Sequence, residues 1–388
     1  MLNVVALSDP AHVHPQRVHN LHPGVRDLLT HRKARDSCCG CIPSALKRPA
    51  KCPRFNMRAM YLLAATSILA LAGAETDGPA KKEVGRVVKS PAANDIEDST
   101  KTAPVGPGTA GPRVTRAQIL LDRTRFSPGE IDGVYGDDLA VAIKGYQESH
   151  GLNATGIVSA EMWGLLNKDA GPLLLTYAIT QADEKGPFLP LPATVQEKAK
   201  MKWMGFETPE EGLGEKFHIS PKLLAELNPG KKLNTVGERI SVPNVRRAAV
   251  QLALRVVVSK SKRTVVAYGA GGKELAQYPN TIGDSRDPLP MGHWTIVGIV
   301  HYPWFNWDPK LLWNVDKTLA KAELAPGPNN PVGAAWIGLS KPDYGIHGTP
   351  DPGNIGHGVS DGCIRLTNWD VDELSRMVRR GTPVELEE

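Results

Sequence analysis

Apolar positions become periodic at Val114. Ala117, Leu120 and Leu121 share one helical face before "SPGEIDGVYG", with Pro128 and several glycines, breaks the pattern. A second helix begins near Asp137, puts Leu139, Ile143 and Tyr146 on one stripe and stops at Gly151; Ser159 caps a third that carries Met162, Trp163 and Leu166. The spacing predicts a small three-helix bundle. Further on, Ser220-Pro221 starts a helix with Leu223, Leu224 and Leu227 on its apolar face, Asn228-Pro229-Gly230 ends it, and "GERISVPNV" reads as a strand.

From Leu252 the period shortens. "LRVVVS" and "RTVVAYG" are β-branched runs around a Ser-Lys-Ser-Lys turn, and "HWTIVGIV" is a third strand. Thr367 caps a helix that turns Val371, Leu374 and Val378 inward, Gly381 stops it, and "TPVEL" closes with a strand. The fold class is therefore multidomain α+β: a three-helix bundle, a smaller βα module, and over residues 250–388 a β-rich domain of sandwich or barrel type with helices at its edge.

Composition changes the picture mainly at the N-terminal end. Arg58, the apolar run Tyr61–Leu71 and the small-residue site Ala72-Gly73-Ala74 have the layout of a secretory signal peptide, over residues 57–74, too short to span a bilayer. A signal peptide begins near the true start, so residues 1–56 are expected to be a spurious upstream extension. Residues 75–112, rich in Lys, Pro, Ala, Thr and Gly, read as a flexible linker. The net charge of +5 has no bearing on nucleic acid: residues 1–74 hold ten Lys/Arg against three Asp/Glu, leaving 36 basic and 38 acidic residues. Four of the five cysteines (Cys38, Cys39, Cys41, Cys52) also fall in that segment, at spacings that fit no paired zinc pattern. Cys363 alone remains after export. In an oxidising compartment a lone thiol is either buried and inert or kept for its reactivity.

Two stretches carry resemblances. Asp132-Gly133-Val134-Tyr135-Gly136, between the first two helices, is similar to the Asp-Gly-x-aromatic-Gly loop of three-helix peptidoglycan-binding domains, a likeness over residues 113–167 that implies wall binding by Asp132, Gly133, Tyr135 and Gly136. After a connector at 168–204, the Leu-Asn-Pro-Gly helix end and Gly-x-x-Ile-x-Val-Pro strand of residues 205–245 look like the second half of a LysM module. Its first half, "ETPEEGLGEKFHIS", departs from the usual opening, which leaves glycan binding and a structural adaptor role both open.

The chemistry concentrates in "GIHGTPDPGNIGHGVSDGCIRLTNWD". Ile346 leads His347 off a short strand, and the chain loops through Pro350, Pro352, Gly353 and Gly356 before returning at Ser360-Asp361-Gly362-Cys363. Such a loop brings its ends together, placing His347 beside Cys363. A thiol becomes a good nucleophile when a histidine takes its proton and pairs with the thiolate. No Asn, Asp or Glu adjoins His347, so a backbone carbonyl, that of Gly348, is expected to hold its second ring proton. Gly362 permits close approach, and the amides of Gly362 and Cys363 are natural oxyanion donors. His357 reads as a surface residue, His293 and His301 as structural, and the cluster Trp304, Phe305, Trp307, Trp313 as a partly exposed, substrate-facing loop broken by Pro303 and Pro309.

His347-Gly348-Thr349 followed by Ser360-x-Gly362-Cys363-Ile364-Arg365-Leu366 resembles the signature of the YkuD-like L,D-transpeptidases, as do "IGDSRDPLPMGHWTI", "GPNNPVGAAWIGLS" and "LTNWDVDEL". The resemblance implies a thioester enzyme that attacks the diaminopimelate–D-Ala bond of a peptidoglycan stem tetrapeptide and hands the acyl group to an amine. It implies Cys363 as nucleophile, His347 as base and Gly348 as orienting carbonyl, with Arg365, Asn368 and Thr349 shaping the site, no metal and no cofactor. Its partners would be stem peptides and glycan strands, with an outer-membrane protein as another acceptor, and its place the periplasm or cell envelope. One departure stands out: Asp361 occupies the position where the family usually has His. If that carboxylate points inward it disfavours the thiolate by like-charge repulsion; if outward, little changes. Three other readings stay open: a hydrolase using the same acyl-enzyme, a zinc peptidase built on His347, Asp351 and His357, and a wall-binding protein with an impaired catalytic domain.

Overall fold

The computed structural model describes residues 3–5, 91–169, 171–283, 288–312, 315–358, 360 and 362–388. The signal-peptide and start-site expectations, and Asp361 and Trp313, lie outside these residues. Strand β1 (Asn3–Val5) falls within the stretch read as an upstream extension and pairs antiparallel with a later strand, β8 (Trp304–Trp307).

Residues 91–112, which composition assigns to the linker, join the fold instead. Helix α1 (Pro91–Glu97) buries Ala93 and Ile96, the Glu97 carboxylate accepts the N–H groups of Leu173 and Leu174 at 3.1 and 3.0 Å, and Val105 bridges Val158. Two apolar residues suffice because α2 (Pro112–Arg123) offers a ready partner surface, and Arg116 donates to the Ile96 carbonyl at 2.9 Å. Pro112 occupies the first turn of α2, where its missing N–H costs nothing. Helix α3 (Asp137–Ser149) starts with two acids at its positive end and stops at Gly151, whose φ of 70° lets Leu152 N–H reach back to the Gln147 carbonyl at 2.8 Å. Ser159 caps α4 (Ala160–Leu166), accepting from Met162 N–H.

These helices are not a free-standing bundle. Strand β2 (Leu174–Ala178), inside the supposed connector, pairs antiparallel with β3 (Arg239–Pro243), from Leu174↔Pro243 to Ala178↔Arg239. Between them lie α5 (Val195–Lys198), α6 (Pro209–Phe217) and α7 (Pro221–Leu227), the last two capped by Thr208 and Ser220 ahead of a proline. Leu213, Phe217, Leu224, Leu227 and Ile240 share one core with Ala117, Leu120, Leu139 and Trp163, so the boundaries at 168–204 and 205 give way to one continuous unit. Helices this short cannot bury enough surface alone, and the two small units complete each other.

The C-terminal region is one eight-stranded mixed sheet. Its strands are β4 (Arg255–Ser259), β5 (Thr264–Tyr268), β6 (Glu274–Pro279), β7 (Gly292–His301), β10 (Ala335–Leu339), β11 (Gly345–His347), β12 (Ile364–Arg365) and β13 (Pro383–Glu387), in the order β12-β11-β10-β7-β13-β4-β5-β6. The sheet curls: the chain leaving the β6 edge returns to the opposite edge, where Thr281 and Arg365 exchange N–H···O bonds of 3.0 and 2.8 Å. Val256, Ala267, Tyr278, Ile337, Ile346 and Ile364 face an interior filled by α8 (Asn368–Met377), which contributes Val371, Leu374 and Met377. The hairpin of β8 and β9 (Ala322–Leu324) packs on the other face.

A buried ionic network joins the helical unit to α8. Arg247 pairs with Asp122 and Glu373, His218 with Asp122 at 3.0 Å and Arg125 with Glu373 at 3.0 Å; Ser127 donates to Asp370 at 2.7 Å and Tyr278 to Glu373 at 3.0 Å.

Candidate active site

Register places the chemistry. Strand β11 runs between β10 and β12, opposing His347 to Trp336 on one side and to Arg365 on the other, while Ile346 sits between Ile337 and Ile364. Because successive side chains alternate faces, the isoleucines enter the sheet interior and His347 turns the other way. Its ring stacks on Trp336 with centroids 5.7 Å apart. Cys363 directly precedes β12, two residues before Arg365, and packs in the same apolar cluster as Trp336, Val332, Phe305, Trp307 and Met204. His347 and Cys363 therefore share a sheet face, each 2% exposed.

The loops around them are tied down. Ser360 N–H donates to the Ile282 carbonyl at 3.1 Å, its hydroxyl to the Cys363 carbonyl at 2.6 Å, and Gly362 adopts φ 93°, a turn that aims the chain into β12 at no steric cost. The Cys363 Sγ lies 3.8 Å from the Asp343 carbonyl. Gly348 is fixed by donation to the Val332 and Ala335 carbonyls at 3.1 and 3.2 Å, and a Cβ there would stand 2.2 Å from Asn368 Oδ1. Asn368 sits at the start of α8, accepting from Ala334 N–H at 2.8 Å and donating to the Pro328 carbonyl at 3.1 Å. Thr349, also buried, accepts from Asp351 N–H at 3.2 Å.

His347 Nδ1 lies 2.7 Å from the Gly348 carbonyl oxygen. A carbonyl only accepts, so Nδ1 carries the proton and Nε2 holds a lone pair. Burial, with the Arg365 guanidinium adding to it, pushes His347 down to about 3, outweighing the Gly348 bond that favours the cation. The resting site thus holds a neutral imidazole oriented as a base, where the sequence suggests a thiolate–imidazolium pair. The main reason is the burial of the ring itself, to which the half-buried Arg365 adds.

Residues 253–386 match the family model "L,D-transpeptidase catalytic domain", and residues 110–166 match "Putative peptidoglycan binding domain". The chain is 32% identical over 178 residues to "Putative L,D-transpeptidase YkuD" of Bacillus licheniformis, an alignment that covers 45% of this chain and 92% of that protein. The chain belongs to the L,D-transpeptidase family. It is likewise 30% identical over 169 residues to the Bacillus subtilis protein of the same name (43% of this chain, 87% of that one), and 44% identical over 135 residues to "Putative L,D-transpeptidase YqjB" of Bacillus subtilis (33% and 68%).

Within this L,D-transpeptidase, the aromatic run after Pro303 is not an exposed loop. Phe305 and Trp307 are buried on the Cys363 side of the sheet, because β8 alternates inward and outward residues and pairs with β9. His357 is exposed, and the Asp351 carboxylate is taken by the Asn354 amide; among the described residues no group of His, Cys, Asp or Glu comes together as a metal-holding cluster. In the Asp132 loop, Asp132 Oδ1 accepts from Gln118 Nε2 at 2.8 Å and Val134 N–H at 2.9 Å, Gly133 takes φ 75°, Tyr135 donates to the Gly156 carbonyl at 2.7 Å, and Gly136 precedes α3. The loop borders the segment between His347 and Ser360: Pro352, Gly353 and His357 share a small cavity with Glu130, Asp132 and Asp138. Two partners of the site carry little sequence signal: Trp336, visible only as one aromatic in a strand, and the chain at Thr281, which pairs with Arg365.

Proposed function

We propose that this chain is an exported peptidoglycan L,D-transpeptidase that works through a Cys363 thioester. The observation that carries the reading is the neutral His347, anchored at Nδ1 and on one sheet face with Cys363. As Sγ attacks the diaminopimelate carbonyl, its proton passes to His347 Nε2, and the N–H groups of Gly362 and Cys363 receive the developing oxyanion. Collapse breaks the bond to D-Ala, whose amine leaves with the proton from His347, and a thioester remains. The acceptor amine then attacks that carbonyl, gives its proton to His347, and the sulfur departs to be reprotonated. Arg365 opposes protonation of the imidazole before attack.

The match at 110–166 supports wall binding through the Asp132–Gly136 loop, and the antiparallel pairing of β2 with β3, with α6 and α7 among the three helices between them, supports a LysM-like accessory. The cell envelope is where such a substrate lies. Incubation with a disaccharide tetrapeptide followed by mass spectrometry tests the reading. A dimer joined through two diaminopimelates is the expected product; tripeptide alone would mean hydrolysis, and unchanged substrate a binding protein.

A further inference from the structure

We propose that Glu215, on a helix outside the matched catalytic domain, is a positioning residue that holds the His347–Gly348 turn through Asn368. Asn368 is the centre of the arrangement. Its Oδ1 accepts from Ala334 N–H and sits where a Cβ on Gly348 or Gly333 would intrude, at 2.2 and 2.0 Å, so the amide oxygen is wedged against the turn whose carbonyl anchors His347. Its Nδ2 donates to the Pro328 carbonyl and to Glu215 Oε1 at 2.9 Å. The Glu215 bond fixes which way the amide faces: with Nδ2 committed to two acceptors, Oδ1 must point at Ala334 and Gly348.

A second contact one helical turn earlier makes this a designed face. Glu211, at i and i+4 spacing from Glu215 on α6, accepts from Asn329 Nδ2 at 2.8 Å, and Asn329 N–H donates to the Met204 carbonyl at 3.0 Å. Helix α6 thus holds Asn329, inside the 328–334 loop, and Asn368, which bonds that loop at both ends through Pro328 and Ala334; the same loop accepts from Gly348 N–H at Val332. Burial pushes Glu215 up to about 8; the Asn368 bond works against this, and Glu211 and Glu130 add to it. At neutral pH the group is an uncharged acceptor, which glutamine reproduces in shape and charge.

The inference rests on the transpeptidase reading for its kcat arm and not for its second arm, alkylation of Cys363 by iodoacetamide as a function of pH. Glu215→Gln should keep kcat within about twofold, whereas Glu215→Leu should lower it about tenfold at little-changed KM, the loss of one partly buried hydrogen bond expressed in the turnover step. The alkylation profile should shift in Glu215→Leu and match wild type in Glu215→Gln. Should Glu215→Leu not fold, Glu215→Asp, which withdraws the carboxyl by one methylene, should show both effects in weaker form. Wild-type kcat and alkylation in the Leu or Asp variant would overturn the proposal, as would equal losses in Gln and Leu, or a lower kcat with an unmoved alkylation profile. Failure of the transpeptidase reading looks different: inactive wild type, with the alkylation contrast intact.

Discussion

Replacing Arg247 with Met removes the hub of the network between the helical unit and α8 while keeping the apolar stem. Asp122 is fully buried and Glu373 is 7% exposed, so each loses a charge partner in a place water cannot reach. Stripping one partner from a buried pair costs about 3–5 kcal/mol. Each acid retains another partner, His218 for Asp122 and Arg125 with Tyr278 for Glu373, which puts the cost near the lower end, about 3 kcal/mol. For a unit of this size that is a drop in Tm of about 6–12 °C at pH 7. The pH dependence has a sign. Burial pushes Asp122 up, but Arg247 and His218 together hold it below its usual value, so its contribution is present above the ordinary carboxylate range and is lost as pH falls through the folded value. Without Arg247 the acid titrates higher and is neutralised earlier on acidification, so the gap between the proteins should narrow from pH 7 to pH 4. Scanning calorimetry at both pH values reads this directly. A Tm difference that is negligible at pH 7, or that stays constant to pH 4, would refute the reasoning.

Four shorter predictions follow from the site and from the fold around it. With His347 held at about 3, the acid limb of kcat/KM should lie well below the usual histidine range; a limb between pH 6 and 7 would show that the imidazole is not as buried as described. The same depression means that His347 stabilises the fold fully above its unfolded value and loses that contribution as pH falls from there toward 3, a slope that His347→Gln should flatten in urea titrations. Gly348→Ala should cost about a hundredfold in kcat with a folded protein by circular dichroism, because its Cβ would displace Asn368 Oδ1 from 2.2 Å away. Ser159→Ala should lower stability by about 1 kcal/mol, measured by denaturant unfolding, through loss of the cap on Met162 N–H.

Local patterns were legible wherever short-range rules act. Helices α2, α3, α4 and α7 lie where apolar spacing and capping residues put them, and so do β4, β5 and β7. The pairing that sets His347 beside the Cys363 strand follows from a Gly- and Pro-rich loop between two short strands. Pairings made at long range left no such trace. Strand β2 finds β3 across more than sixty residues; α1 is held by a surface that exists only once α2 has folded. Glu215 meets Asn368 at a separation of 153 residues, and in the chain it is one acid among three in a polar helix. The neutral state of His347 was hidden for a related reason: its cause is burial beside Arg365, a property of the assembled sheet rather than of the loop. Phe305 and Trp307 read as a loop because Pro303 and Pro309 flank them, yet a four-residue strand fits between the two prolines.

The most direct test of the account is intact-protein mass spectrometry of the chain mixed with a disaccharide tetrapeptide and quenched in acid. The account predicts an adduct equal to the tetrapeptide ligand less D-Ala, mapped by peptide digestion to Cys363 and lost in Cys363→Ala together with cross-linking. An adduct on another residue, or cross-linked product from Cys363→Ala, would contradict it.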